Sequence, residues 1–122
     1  MNITLEIKPN YSILNPETER LNNEEVLQIA GKISEQKIAG CNSFIVNMKW
    51  CHDIENNAYH PLLDLHNDVY EHNGSLAFCE ANDLILQKLK KEQLHLSLNL
   101  TPTLIEAIDI INMEVLERDL LN

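Results

Sequence analysis

Ser43-Phe44-Ile45-Val46-Asn47-Met48 is the stretch that decides the fold. Three consecutive large apolar residues in a β-favouring run describe a strand buried on both faces, the pattern of a central strand in a parallel sheet. Amphipathic helices should then flank it. Upstream, Asn22 with Glu25 three residues on reads as a capping box, and Val26, Ile29, Ala30 and Ile33 follow at helical spacing until Ala39-Gly40. Downstream, residues 49–55 read as a loop. A second helix begins near Asn56 or Asn57 and carries Ala58, Leu62, Leu65 and Val69 on one face. Pro61 belongs close to its first turn, where a missing N–H costs least, and Asn73-Gly74 closes it with a residue able to take positive φ.

The pattern continues outward in both directions. Residues 3–7 alternate Ile3, Leu5 and Ile7 with Thr4 and Glu6, the period of a half-buried strand. Pro9-Asn10 is a turn signal, and residues 11–14 are a second strand that should stop at Pro16, leaving residues 16–20 as a polar loop. Towards the C-terminus, residues 75–79 form a short apolar strand and residues 83–91 a short helix. Leu94, Leu96, Leu98 and Leu100 alternate with polar residues as a strand would. Thr103 with Glu106 opens a last helix that buries Leu104, Ala107, Ile108, Ile111 and Val115. This order predicts an α/β fold in one domain spanning residues 1–122. Its sheet should be small and mixed, with an N-terminal antiparallel hairpin and parallel central strands, packed with about four helices.

Composition narrows the function classes. Acids outnumber bases 19 to 9 among 122 residues, a formal charge of −10. That excludes the electrostatic footprint of a nucleic-acid or anionic-membrane binder and leaves a protein partner open. No apolar run is long enough to insert into a membrane, and the N-terminus lacks a secretory pattern, so the chain is expected in the cytoplasm. Cys41, Cys51 and Cys79 are odd in number and far apart, which fits reduced thiols. There is no phosphate-binding glycine loop and no nucleophile elbow, so an enzyme is not expected. Many of the acids (Glu24, Glu35, Asp64, Asp68, Glu71, Asp109, Glu114 and Glu117) fall on outer helix faces. Asp53 and Glu55, at a helix start, are the local charges of interest.

From Phe44 to Ile111 the chain resembles the STAS domain, the fold of bacterial anti-sigma factor antagonists and of sulphate-transporter cytoplasmic tails. The residues that carry the resemblance are the strand Phe44-Ile45-Val46-Asn47-Met48, the helix body Leu62-Leu63-Asp64-Leu65-His66, the turn Glu71-His72-Asn73-Gly74, and the final Thr101-Pro102-Thr103-Leu104-Ile105-Glu106-Ala107. The family's helix-start motif, Asp-Ser-Ser-Gly, is altered. Glu55 stands for the aspartate, Asn56 and Asn57 for the serines, and Ala58 for the glycine. In phosphoregulated members the first serine is phosphorylated by a partner anti-sigma kinase. Asn56 lacks that hydroxyl, and residues 49–57 hold no other Ser, Thr or Tyr.

The resemblance therefore implies a transcription-regulating, partner-switching antagonist fixed in its unphosphorylated state, with no cofactor. Its partner would be an anti-sigma factor-like kinase or another regulatory protein, met through Trp50, His52, Asp53, Glu55, Asn56, Asn57 and Tyr59. The chain itself is expected as a monomer or weak dimer. The alternative is an accessory subunit of a membrane lipid transport or sensory complex, or a small-ligand-binding STAS domain. Some of these residues also have a plainer reading. Glu55, Asn56 and Asn57 would simply cap a helix, and Trp50 would pack over the sheet end. Trp50-Cys51-His52-Asp53 contains metal-ligand types without zinc-site spacing, so no metal is expected. Lys88, Lys90 and Lys91 read as a solvated helix end, and His60, His66 and His72 as surface or boundary residues.

Overall fold

The structure, a computed structural model, describes residues 1–121. Strands β1 (Asn2–Ile7), β2 (Ser12–Leu21), β3 (Ser43–Asn47), β4 (Cys51–Ile54), β5 (Ser75–Cys79) and β6 (Leu100–Thr101) alternate with helices α1 (Asn23–Ile38), α2 (Tyr59–Glu71), α3 (Asp83–Lys91) and α4 (Leu104–Leu121). The sheet order is β1-β2-β3-β5-β6, with β4 paired to β2 off this path. β1 and β2 are antiparallel, and every other pair is parallel. The expected mixed sheet and four helices are therefore present.

β3 and β5 are buried along their whole length, as a strand covered on both faces must be. Alternate side chains separate two cores. Leu14, Phe44, Val46, Leu76 and Phe78 face α1, α2 and α3, meeting Val26, Ile29, Ile33, Leu62, Leu65, Val69, Ile85 and Leu89. Ile13, Ile45, Ala77 and Cys79 face the other way, onto Ala107 and Ile111 of α4. α4 thus covers one side of the sheet by itself. Truncating Phe44, which is fully buried, to alanine would cost about 3–5 kcal/mol.

Three expectations are corrected. β2 does not stop at Pro16; it runs on through residues 16–20, which are not a loop. β2 pairs with β3 at Ser12–Leu14 and with β4 from Thr18 onward, so Pro16 sits where β2 changes neighbours and its missing donor breaks no ladder. Residues 49–55 are not all loop, because Cys51–Ile54 forms β4. The strand expected over residues 94–100 shrinks to Leu100–Thr101. Leu94–Leu96 is a 3-10 turn entered through Gln93 at φ 60°. Leu94 and Leu98 are buried while Leu96 is exposed, so the alternation concealed an i, i+4 pair.

The capping signals were legible. Asn22 Oδ1 accepts from Glu25 N at 2.9 Å, and Glu25 Oε1 accepts from Asn22 N at 3.2 Å, closing the box that opens α1. Thr103 Oγ1 accepts from Glu106 N at the start of α4. After α2 the positive φ belongs to Asn73, at 61°. Gly74 is needed for space: a Cβ there would lie 2.6 Å from the Asn42 carbonyl oxygen.

Candidate functional site

The candidate residues lie on β4, on the turn before it and on the start of α2. β3 ends at Asn47, whose Oδ1 accepts from Lys49 N at 3.0 Å and whose Nδ2 donates to Glu80 at 2.8 Å. The chain then turns through Met48, Lys49 and Trp50 and resumes beside β2, where Trp50 C=O accepts from Thr18 N. Trp50 is 50% exposed with the Lys49 ammonium 5.2 Å from its ring, so it is not packed away over the sheet end.

Period-two alternation on β4 then sorts the next residues. Cys51 is turned into the core, and burial pushes its thiol up to about 12. His52 faces solvent beside Glu19. Adjacent on a strand, the two point oppositely and cannot share a metal ion. Among the described residues no group of three or more His, Cys, Asp or Glu is placed to hold one.

Asp53 is the electrostatic centre, with 22% of its side chain exposed. Its Oδ1 accepts from Lys88 Nζ at 2.6 Å and from Ile54 N at 2.7 Å, while Oδ2 lies 3.6 Å from Arg20 Nε. The Lys88 hydrogen bond, followed by that of Ile54, holds this carboxyl below the usual aspartate range. Glu55 approaches the same Arg20 at 3.9 Å. Arg20, Ile54, Glu55, Asn56, Asn57 and Lys88 line one shallow depression. Asp53 was among the residues expected here, but Arg20 and Lys88 were not. Arg20 fell in a presumed loop and Lys88 in a presumed solvated helix end. Only the fold brings Lys88 to a residue 35 positions away, so no local spacing could have signalled it.

The residues that open α2 do not cap it. Asn56 begins a 3-10 turn, Asn56–Ala58, and neither Glu55 before that turn nor Ala58 before α2 gives a side-chain cap. Asn57 Oδ1 instead accepts from Asn23 N, the first amide of α1, at 3.1 Å. It therefore satisfies an unpaired helix-start donor on the neighbouring element. Ala58 is fully buried and Pro61 falls in the first turn of α2. Tyr59 is half-buried against the core. Asn56 is exposed, with no side-chain partner among the described residues. On the far side, Asn82 caps α3 and donates through Nδ2 to His52 C=O at 2.9 Å. The backbone of the patch is thus tied to α1, α3 and β2, while Trp50, His52 and Asn56 project from it.

An antiparallel hairpin leading into parallel strands, with α1 and α2 on one side and α4 on the other, defines the STAS fold of anti-sigma factor antagonists. Solved structures agree. A putative anti-sigma factor antagonist from Thermotoga maritima superposes with a TM-score of 0.78 at 17% identity, over 90% of this chain and 94% of that one. The phosphorylated form of the Bacillus cell fate determinant SpoIIAA gives 0.63 at 18% identity, over 90% and 99%. A murine Solute Carrier 26 family anion transporter gives 0.69 at 11% identity, over 85% of this chain and 18% of the transporter. No protein-family model and no curated protein sequence matches the chain. Among the described residues no helix is long and apolar enough to cross a membrane.

Proposed function

We propose that this chain is a non-enzymatic protein-binding module of the anti-sigma factor antagonist type, acting in the cytoplasm and fixed in its unphosphorylated state. The observation that carries this reading is the start of α2, where Asn56 is exposed and offers an amide in place of a hydroxyl. A phosphate would add about −1.5 to −2 charge at pH 7 and alter the partner surface. Without an acceptor the surface has one state. Trp50, His52 and Asn56 supply the projecting contacts. Asp53, Glu55, Asn57 and Tyr59 set the charge and rigidity beneath them.

Two measurements test it. Trp50→Ala and Glu55→Lys should each weaken a complex with the regulatory partner by more than about 1 kcal/mol, as hot-spot residues do; complexes unaffected by both changes would overturn this surface. Incubation with ATP and the cellular kinase should leave the native helix start unmodified, whereas Asn56→Ser should gain phosphate.

A second reading makes the chain an accessory subunit of a membrane lipid transport or sensory complex, or a small-ligand binder. Its support is that the same fold forms part of an anion transporter. Co-purification with a membrane ATPase favours the second reading, and recovery with a kinase-like regulator favours the first.

A further inference from the structure

α4 is apolar on both sides, which its role in the core does not explain. Ala107 and Ile111, with Leu104, Ile108 and Val115, face the sheet. On the opposite side Ile105, Met113, Leu116 and Leu120 are 72%, 61%, 59% and 77% exposed. Met113, Leu116 and Leu120 follow at i, i+3 and i+7, and at 3.6 residues per turn all four fall within about a quarter of the helix circumference. Single exposed apolar residues are ordinary, but the side of a helix away from its core is normally polar.

The charges around this stripe have one sign. Glu106, Asp109, Glu117 and Asp119 are exposed along the same helix. Arg118, the only cation of α4, is turned inward, donating from Nη1 to Ser75 Oγ at 2.7 Å and from Nη2 to Ser43 Oγ at 3.2 Å. A second copy would bring the same acids into contact, within a chain of charge −10. Anionic lipid is repelled for the same electrostatic reason.

We propose that the outer face of α4 is a second docking surface, separated by the sheet from the layer of α1 and α2, and that its partner is a basic amphipathic helical element. Such a partner presents an apolar seam flanked by Lys or Arg. The seam covers Met113, Leu116 and Leu120; its cations neutralise Glu117 and Asp119 on either side, and Asp109, which lies in line with the apolar residues about one turn before Met113.

The test titrates the full chain, by NMR, with a synthetic peptide carrying leucines at helical spacing and lysines elsewhere. The expected result is shifts confined to α4, with binding weakened at least tenfold by a Met113→Ser, Leu116→Ser double substitution that leaves the melting temperature unchanged. Three results overturn the proposal. The first is equal binding of a peptide whose leucines are replaced by serine at the same charge. The second is shifts centred on Trp50 and Asn56. The third is sedimentation of the chain alone as a dimer that the double substitution dissociates, which makes the occupant a second copy. Peptide control and shift map decide the matter even if the double variant fails to fold.

Discussion

The hydroxyl of Tyr70 on α2 donates to Glu114 Oε1 on α4 at 2.8 Å, linking the two helical layers around the edge of the sheet. β6 pairs with β5 only at Phe78 and Cys79, so the backbone of Leu76 is left at an open edge. Tyr70 Oη accepts from Leu76 N at 3.3 Å and from Asn99 Nδ2 at 2.6 Å, while Leu76 C=O accepts from Asn99 Nδ2 at 3.1 Å. A side-chain cluster thus replaces the strand that is missing there. Tyr70→Phe strips the shared partner from three part-buried groups and should cost about 1–3 kcal/mol in urea unfolding. Glu114→Gln, which keeps an acceptor, should cost less.

Two glycines should respond oppositely to alanine. At Gly74 the new Cβ meets Asn42 O at 2.6 Å, Val69 Cγ1 at 2.8 Å and Val69 O at 2.9 Å, two of them backbone atoms. Overpacking of this kind costs about 1–3 kcal/mol or more. Gly31, exposed within α1, has nothing within 4 Å of the added atom. Gly31→Ala should raise stability by about 0.5–1 kcal/mol, because alanine is the better helix former. Equal effects at both sites in thermal unfolding would contradict this account.

Asn57→Ala should lower stability by about 0.5–2 kcal/mol, the range for loss of a helix cap. The loss should show as faster hydrogen exchange at Asn23, on α1, and not at the first amides of α2. Exchange that quickens first in α2 would place the cap on the wrong helix.

The thiols should divide into one reactive and two inert groups. Cys41 is half-buried, whereas burial holds Cys51 and Cys79 at about 12. Maleimide near pH 8 should label the native chain once, and Cys41→Ser should abolish that label. The raised thiols also predict an alkaline limit. Their folded pKa lies above the ordinary value of 9.0, so the folded state holds more protons between pH 9 and about 12. Their contribution is complete below 9 and is lost as pH rises through that window.

On the acid side the sign reverses. Burial lowers the pKa of His66 against the opposing pull of Glu114, and its Nδ1 is buried with no partner among the described residues. The unfolded chain then takes up the proton first, so stability falls as pH drops below about 6.5. Asp53 adds a second loss below about 3.9, as Lys88 and Arg20 lose their carboxylate. His66→Phe should flatten only the upper limb in denaturant titrations, and Asp53→Asn only the lower.

The site was half legible. Trp50 and Asn56 could be picked out because residues 49–57 read as a polar connection and helix start, where side chains are exposed; His52 lies on β4 instead, and is exposed because it takes the outward position next to the buried Cys51. Asn57 read as a cap and is one, but on another helix. Glu114 read as an outer-face acid, yet it is part-buried against Tyr70. The residues missed altogether, Arg20 and Lys88, act on Asp53 from elements that the chain brings close only after folding.

What the sequence determined by itself were the elements whose signal is local. Residues 43–48 are apolar enough to require cover on both faces, α1 announces itself by a capping box and a helical stripe, and α4 by Thr103 and Glu106. Hydrophobic period and caps act within a few residues, so they survive without a partner strand. The tertiary structure decided the rest. It let β2 run through Pro16, because that residue lies between two neighbours. It made a strand of Cys51–Ile54 because β2 had a free edge, and a turn of Leu94–Leu96 because Leu94 and Leu98 could reach one core. It also left one side of α4 bare. Strand pairing and burial depend on residues far away in the chain, and no window of sequence contains both partners.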